Sequence, residues 1–472
     1  MQIDKDCSGT GGEIIKTDKH STVIQMSDVI KLRKGLDIRL KGKAETVYGQ
    51  APAAELYAIK PTDFNGLKPK MMVKEGEHVD AGGVLFVDKN KPEVKFLSAV
   101  SGTVEAVRRG ERRAILEVVV RAEGEVKPVE VGKLNPSQAT REQVIEKLLE
   151  TGAWTYLLQR PYNVIADPKL YHKAVFISTF DTAPLAPDYD HVVRGNEEAF
   201  QAGVDALAKL APVFIGTRGQ GSSKAFTGAK NAKVVEFQGP HPAGCVGVQI
   251  NHVQPINAGE VVLTVQPQEV VAIGKIFSEG KLDFSRVVVV TGPEVKKPAY
   301  YRTVVGAQVS SIVENNVNPE GTRLVSGNVL TGKTIAMDGF LGYHDSQLTA
   351  LKEGNESEFM GWIAPGLNKF SASRTFFTWL QGKKEYRLDT NMHGQPRAIV
   401  VSGEMEKVLP MDIYPEHLLK AVMAKDIDKM IELGIFEVVE EDMALCEFVS
   451  TSKLPVQRIL RNGLNLMMEE VG

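Results

Sequence analysis

Residues 151–188 read TGAWTYLLQRPYNVIADPKLYHKAVFISTFDTAPLAPD, and this stretch decides the fold class. Within it, residues 174–179 are a short apolar, β-rich run, which predicts a buried strand. Phosphate-binding loops need glycines because only a bare backbone lets N–H groups approach an anion closely. Here the strand is followed by FDTAPLAP at 180–187, and residues 151–162 before it hold one Trp, two Tyr and an Arg. The stretch therefore predicts a nucleotide-type α/β scaffold without a phosphate-binding loop.

Length and composition narrow the class of protein. The 472 residues suggest about three domains, and 43% hydrophobic with 24% charged residues is ordinary for a soluble globular protein. The net charge is −3 and no block of Lys or Arg stands out, so nucleic-acid binding is not indicated. No window approaches the ~18 apolar residues of a membrane-spanning helix. The polar N-terminus lacks an apolar signal core, which predicts a cytoplasmic protein that reaches a membrane only through partners.

The three cysteines, Cys7, Cys245 and Cys446, are far apart in the sequence. They cannot hold an iron–sulfur cluster alone, and they suggest no disulfide framework. We interpret Cys446 as a small buried residue.

The first part of the chain predicts a polar tail and then a small barrel. Residues 1–28 are interpreted as a disordered N-terminal extension. Within residues 29–125, the sequence MMVKEGEHVDAGGVLF at 71–86 has regularly spaced glycines and apolar residues. This pattern resembles the barrel-sandwich hybrid of lipoyl and biotinyl carrier domains. Carriers attach their cofactor to a lysine at a hairpin tip. The corresponding turn, DKNKPEVK at 88–95, is longer and lacks Met-Lys-Met, so we interpret Lys89, Lys91 and Lys95 as solvated, with modification as the alternative.

Residues 126–280 alternate helical and strand patterns, which predicts a Rossmann-like α/β layer with a parallel sheet. The predicted helices cover 136–151, 197–210 and 268–277, and further strands cover 212–216 and 234–237. The rigid loop GPHPAG at 239–244 leaves the last of these strands. Ligands bind outside the carboxyl ends of strands in such sheets, so this loop is a candidate site. The alternative is a Pro/Gly turn with one solvated histidine.

The remaining residues predict two further domains. Residues 281–345 resemble a small β-grasp module of the soluble-ligand-binding (SLBB) type, with a strand, turn and strand over 285–301 and a helix over 304–313. Residues 346–405 are mixed strand and turn, with 370–380 as the best strand candidate. Residues 406–472 form a C-terminal helical domain, with helices at 415–424, 426–433, 442–450 and 455–470. The fold class is thus α/β and α+β multidomain.

No catalytic centre is visible in the residues alone. No Ser-His-Asp or Cys-His arrangement has a local signature, and no histidine or cysteine spacing indicates a metal site. His241, between two prolines, and His344, in GYHDS, are the least ordinary of the nine histidines. We interpret each as structural rather than catalytic.

The chain from residue 29 to 472 resembles the A subunit of the Na⁺-translocating NADH:quinone oxidoreductase. The resemblance is specific because its motifs recur in order across nearly the full length. They are IKLRKGLD at 30–37, VLFVDK at 84–89, VKF at 94–96 with SG at 101–102, FDTAPLA at 180–186, GPHPAG at 239–244, GWIAPG at 361–366 and ALCEFV at 444–449.

More distantly, the domain order resembles the flavoprotein subunit of respiratory complex I and the C subunit of the Rnf complex. Those relatives hold FMN through a glycine-rich loop, and here residues 151–162 stand in its place. A second loop of the relatives carries an acid where this chain has Val246, and only Cys446 remains of the cluster cysteines. The resemblance implies a scaffold without its own redox cofactor, with FMN, FAD, riboflavin and Fe–S centres on partner subunits.

The resemblance also implies a function. The chain would be a peripheral subunit on the cytoplasmic face of the bacterial inner membrane, in a six-subunit complex that oxidises NADH, reduces quinone to quinol and exports Na⁺. It would contribute to quinone or inhibitor binding and to assembly, and would not be catalytic alone. The candidate quinone-binding residues are Trp154, Tyr156, Arg160, Tyr162 and His241, because aromatic rings could stack on a quinone and Arg or His could bond its carbonyl.

Three alternatives stay open at this point. The five candidate residues could instead pack against a partner subunit. The whole chain could be a stand-alone soluble ligand-binding module without redox activity, which the full-length resemblance disfavours. It could also be an independent flavoenzyme, which the missing glycine loop argues against.

Overall fold

The computed structural model describes residues 28–356, 361, 366–373 and 375–471. The predicted disordered extension therefore lies outside the described residues, except for Asp28. Residue 28 opens strand β1 (Asp28–Lys31), which is not part of the barrel. It pairs in parallel with a strand of the α/β sheet, Asp28 opposite Val235. The first strand after the predicted boundary at residue 29 thus contributes to a different sheet from those of the barrel.

The strands of the barrel-sandwich domain begin at Leu56. Its seven strands are β2 (Leu56–Ile59), β3 (Pro69–Met71), β4 (His78–Val79), β5 (Val84–Asp88), β6 (Lys95–Leu97), β7 (Gly102–Arg109) and β8 (Ile115–Ala122). Short 3-10 helices lie at Pro61–Asp63 and Glu111–Arg113. The strands form two sheets, ordered β2-β8-β7-β4 and β3-β5-β6. The rings of Phe86 and Phe96 stack at 4.5 Å in the core.

The predicted carrier turn forms an ion pair with the α/β domain. Lys89 is exposed as predicted, but Lys91 pairs with Asp167 of the α/β domain at 3.2 Å. Lys95 lies in strand β6 and not in the turn. Two of the three lysines therefore differ from the interpretation as solvated turn residues.

The α/β domain is built on a seven-stranded sheet. Its elements are β9 (Val129–Glu130), α1 (Arg141–Glu150), a 3-10 helix (Ala153–Tyr156), β10 (Leu158–Arg160), β11 (Val164–Ile165), β12 (Ala174–Ser178), α2 (Tyr189–Val193), α3 (Glu197–Leu207), β13 (Val213–Thr217), α4 (Lys224–Thr227), β14 (Ala232–Gln238), α5 (Val246–Val253), β15 (Val262–Thr264), α6 (Pro267–Ser278) and β16 (Lys281–Leu282). The sheet order is β1-β14-β13-β12-β15-β10-β11. The first five strands in this order are parallel to one another, as the alternating pattern predicts. β10 pairs antiparallel with β15, and β11 pairs antiparallel with β10. The short strands β9 and β16 pair separately.

Two glycines let α3 and α6 pack backbone to backbone. A Cβ on Gly274 would lie 1.7 Å from the carbonyl oxygen of Ala199, and one on Gly203 would lie 2.1 Å from that of Val270. Since atoms cannot approach that closely, only glycine allows this crossing, which holds α6 and its N-terminal carboxylate in place.

The β-grasp domain comprises β17 (Ser285–Thr291), β18 (Ala299–Val304), α7 (Ser310–Val313), β19 (Thr322–Ser326), β20 (Lys333–Ile335) and β21 (Gln347–Lys352). The sheet order is β18-β17-β21-β19-β20, with β17 and β21 parallel. The helix predicted over 304–313 is only one turn long. Residue 304 still belongs to β18, because its β-branched neighbours pair along β17.

The strand predicted at 370–380 is wrong. A 3-10 helix covers Phe377–Gln381, and the described residues of 370–376 are in no strand. The apolar side chains of Phe377 and Leu380 are 58% and 64% exposed. Burial of these side chains therefore does not stabilise an extended conformation here.

The C-terminal domain is helical, as predicted. Its helices are α8 (Glu404–Val408), α9 (Pro415–Ala424), α10 (Ile427–Glu432), a 3-10 turn (Ile435–Glu437), α11 (Glu440–Val449) and α12 (Val456–Glu470). Their apolar faces share one core with residues of β1 and β14. Within the part of the chain that the structure describes, no helix has the length and apolar character to cross a membrane.

Candidate functional site

A cleft of about 430 Å³ opens at the carboxyl edge of the parallel strands. It lies where the α/β domain meets the β-grasp domain, the 3-10 helix of the barrel and the start of α11. This is the edge at which doubly wound sheets bind ligands. Its volume suits a small organic molecule. The residues that line the cleft include Tyr156, Arg160, Phe180, Glu269, Tyr343 and His344.

The strand that the opening motif predicts leads directly into this cleft. β12 ends at Ser178, whose Oγ lies 2.9 Å from the carbonyl oxygens of both Phe180 and Gly244. Gln249 from α5 donates to the same Oγ at 2.8 Å. These bonds fix the turn after the strand and place the Phe180 ring on the wall. Burial raises the pKa of Asp181, the next residue, above its usual value.

Aromatic side chains form a second wall. The 3-10 helix Ala153–Tyr156 presents Tyr156 to the cleft, with its ring centroid 6.0 Å from that of Tyr343. The hydroxyl of Tyr343 is hydrogen-bonded to Thr155 Oγ1 at 2.7 Å. Burial raises the pKa of Tyr343 to about 12 and also raises the pKa of Tyr156 well above its ordinary value, so both stay neutral phenols.

Arg160 ends β10 at the floor of the cleft and is almost fully buried. Its guanidinium pairs with Asp442, and its Nη2 lies 3.2 Å from Glu441. A Cβ on Gly247 would lie 2.2 Å from Nη1, so only glycine leaves room for this pair. Partial burial raises the pKa of Glu441, but its side chain is 45% exposed and water screens part of the effect.

His344 lies on the cleft wall and is held by a buried carboxylate. Its Nδ1 is 2.7 Å from Oε1 of Glu269, the third residue of α6. Arg286 also donates to this oxygen, at 3.2 Å. Among the described residues, the buried Nε2 of His344 has no hydrogen-bond partner.

The structure brings two of the five predicted residues to the cleft, Tyr156 and Arg160. Trp154 is fully buried in the core instead, where its Nε1 donates to the carbonyl of Ala166 at 2.8 Å. Tyr162 packs edge-on against Phe436, with 6.3 Å between ring centroids. His241 is buried next to Thr182, with 3.0 Å from Nδ1 to Oγ1, and burial lowers its pKa to about 4. The aromatic groove is therefore not built as the sequence predicts.

Sequence reasoning missed the Glu269–His344 pair. The GYHDS motif marks His344 as unusual, but its partner lies 75 positions earlier on a helix. The sequence holds one signal for this pair, the acid Glu269 three positions after Gln266. An acid at that position of a helix ordinarily caps the helix, so it does not by itself indicate a site.

Two residues that the resemblance places at the cofactor positions of the distant relatives make packing contacts here. Gly152 adopts a left-handed conformation, and a Cβ there would lie 2.7 Å from Leu97 of the barrel, so this glycine allows a domain contact. Cys446 is buried, and its thiol donates to the carbonyl oxygen of Met405 at 3.8 Å. Across 28–356, 361, 366–373 and 375–471, no group of three His, Cys, Asp or Glu side chains could hold a metal ion.

A barrel-sandwich, an α/β layer, a β-grasp module and a helical domain on one chain define the class, a multidomain protein of α/β and α+β type. Family models match three parts: the NqrA N-terminal barrel-sandwich hybrid domain at 30–123, the NqrA second alpha/beta domain at 139–282 and the NQRA C-terminal domain, of SLBB type, at 287–336. These matches confirm the predicted fold class.

Curated relatives agree over the full length. The A subunit of the Na(+)-translocating NADH-quinone reductase from Yersinia pestis is 37% identical over 94% of this chain and 100% of its own. The proteins of the same name from Pseudomonas aeruginosa and Pasteurella multocida are 36% and 38% identical over the same shares. The chain therefore belongs to the NqrA family, the A subunits of Na⁺-translocating NADH-quinone reductases. Among solved structures, an NAD⁺-reducing [NiFe]-hydrogenase chain is similar with a TM-score of 0.37 and 12% identity, over 71% of this chain and 62% of that one.

Proposed function

We propose that this chain is the peripheral subunit of a six-subunit Na⁺-pumping NADH:quinone oxidoreductase, which oxidises NADH, reduces quinone to quinol and exports Na⁺. It acts on the cytoplasmic face of the bacterial inner membrane and is not catalytic alone. The full-length similarity to relatives of that name supports this assignment. The competing function is a stand-alone soluble ligand-binding module.

A tagged pull-down from detergent-solubilised membranes separates these two functions. Co-purified membrane subunits with Na⁺-stimulated NADH oxidation support the complex. A clean single chain, recovered from cells that express the partner subunits, overturns it.

We propose further that the cleft binds the quinone head group or an inhibitor. The observation that carries this proposal is the meeting of aromatic rings, Tyr156 and Phe180, with buried polar groups in one cavity of about 430 Å³. A flat ring can stack on the aromatic side chains while its two oxygens reach hydrogen-bonding groups. Of the five residues that the sequence predicts, Tyr156 and Arg160 remain candidates.

The test is a titration of the purified chain with ubiquinone-1, a short-chain quinone, followed by ligand NMR. Phe180→Ala removes one ring from the wall and should weaken binding at least fivefold. Tyr171→Ala removes a tyrosine that is 78% exposed and is not part of the cleft, so it is the matched control. If the wild-type chain does not bind, or if both variants bind equally, the cleft is not the quinone site.

We propose that the chain carries no redox cofactor and that FMN, FAD, riboflavin and Fe–S centres belong to partner subunits. The packing roles of Gly152 and Cys446 support this, because Gly152 approaches Leu97 of the barrel closely and the Cys446 thiol is buried against the carbonyl oxygen of Met405. The purified chain should be colourless and contain no stoichiometric flavin or iron. A flavin spectrum that persists after gel filtration contradicts the proposal.

A further inference from the structure

Glu269 fixes the orientation and the tautomer of His344. A carboxylate can only accept hydrogen bonds, so the 2.7 Å contact requires a proton on Nδ1 of the histidine. Burial alone would raise the pKa of Glu269, but His344 and Arg286 outweigh it and lower the pKa, which keeps the carboxylate ionised. The rings of Phe64 and Tyr343 stand edge-on to the imidazole at 5.6 and 5.0 Å between centroids. The ring therefore cannot turn freely.

This arrangement leaves Nε2 as the group that faces the ligand. Nε2 is buried and has no partner among the described residues, while His344 lines the cleft. A buried polar atom without a partner is costly, so native structures rarely keep one unless a ligand, a water or an ion satisfies it. His172 and His191 also have unpartnered nitrogens, but neither lines the cleft. His344 alone of these three combines both features.

We propose that Nε2 of His344 binds an oxygen of the molecule in the cleft, with Glu269 as its positioning residue. The proposal rests on the proposed function and deepens it. With Nδ1–H directed to Glu269, neutral His344 offers Nε2 as an acceptor, which matches a quinol hydroxyl. Doubly protonated His344 offers Nε2–H as a donor, which matches a quinone carbonyl. One side chain thus recognises both redox forms, and the preferred form depends on its proton.

Charged groups lie near His344 on several elements of the fold. Glu269 contacts the ring from α6, and Arg286 of β17 donates to the same carboxylate. Asp345 follows His344 in the chain and accepts from Ser326. Asp63 of the barrel accepts from the Tyr343 backbone N–H at 3.0 Å and is balanced by Lys60 and Lys333. Because Glu269 contacts the ring directly, its substitution tests the positioning role.

The test measures the affinity of the full-length chain for ubiquinone-1 and for its quinol. His344→Leu removes both ring nitrogens and should weaken the binding of both forms at least fivefold, whereas His344→Gln retains a hydrogen-bonding side chain and should lose less. Glu269→Gln no longer fixes the tautomer of His344, so it should change the ratio of the two affinities, an effect that a merely structural role would not produce. His393→Gln removes an exposed histidine outside the cleft and should behave as the wild type.

A second measurement does not depend on variant folding. In wild-type chain labelled with ¹⁵N-histidine, the Nε2 resonance of His344 should shift on addition of ubiquinone-1. If the wild type binds neither form, the proposed function and this inference both fail. If it binds but the folded His344→Leu variant binds both forms as tightly as the wild type, only the inference fails.

Discussion

The guanidinium of Arg160 and the carboxylate of Asp442 form a buried ion pair across 282 positions of sequence. Arg160 ends a strand of the α/β sheet, and Asp442 is the third residue of α11 in the helical domain. The same carboxylate accepts the backbone N–H of Val439 at 3.0 Å, so it also caps its own helix. One charged pair therefore fixes the orientation of the C-terminal domain against the cleft floor.

Replacing Arg160 by Met should lower the free energy of unfolding by about 3–5 kcal/mol, because it leaves the Asp442 charge buried without compensation. Denaturant titration of the full-length chain measures the loss. Arg160→Met with Asp442→Asn should recover part of it. Arg108→Met breaks an exposed pair with Glu117 and should cost less than about 1 kcal/mol. Equal losses for the buried and exposed pairs would contradict this account.

Acid should destabilise the protein through its buried histidines. Burial lowers the pKa of His172 to about 4, and neither of its ring nitrogens has a partner among the described residues. An unfolded histidine titrates near 6.5, so between pH 6.5 and 4 the unfolded chain binds a proton that the native chain does not. The stability is complete above pH 6.5 and falls toward pH 4. His172→Leu should reduce the loss of unfolding free energy between pH 7 and 4.5 by about 2–3 kcal/mol.

The control for this pH effect is His78→Gln, which removes an exposed histidine of the barrel. It should leave the difference between pH 7 and 4.5 unchanged. A His172→Leu variant with the full acid sensitivity of the wild type would rule out this histidine as a source.

A methyl group at position 274 should separate α3 from α6. Because the added Cβ would lie 1.7 Å from the carbonyl oxygen of Ala199, Gly274→Ala should lower the unfolding free energy by at least about 1–3 kcal/mol. Gly394→Ala is the control, since the nearest atom to its added Cβ would be 3.7 Å away on a flexible lysine. Thermal unfolding compares the two, and similar midpoints would show that the helices can move apart without cost.

Trp154 should matter for stability and not for ligand binding. Trp154→Ala empties a fully buried site and should cost about 3–5 kcal/mol. Trp154→Phe retains most of the volume, loses the bond to the Ala166 carbonyl, and should bind ubiquinone-1 within twofold of the wild type. A large loss of affinity in the folded Phe variant would restore the stacking role that the sequence predicts.

Local signals in the sequence predict helices well. The helix predicted at 415–424 matches α9 in both bounds, because proline favours the first helical position. The strand at 174–179 also matches β12 within one residue, since a continuous apolar run suits a strand buried on both faces. These features depend on neighbouring residues, which the sequence shows directly.

The site depends on contacts that the sequence does not show. A Trp and a Tyr two positions apart, Trp154 and Tyr156, look alike as quinone-binding candidates. Only the fold places the first in the core and the second on the cleft. The Glu269–His344 pair likewise joins two domains. The strand predicted near 377 fails because apolar character suggests burial, whereas these side chains are exposed.

The early position of β1 makes the barrel-sandwich an insertion within the α/β domain. During synthesis, Asp28 leaves the ribosome about 200 residues before its partner Val235. At about 5–20 residues per second, this strand waits roughly 10–40 s with its hydrogen-bonding edge unpaired, while the barrel is already complete. An unpaired edge strand is a template for association with other chains. The nascent chain is thus most exposed to misassembly, and most dependent on chaperones, before its sheet can close.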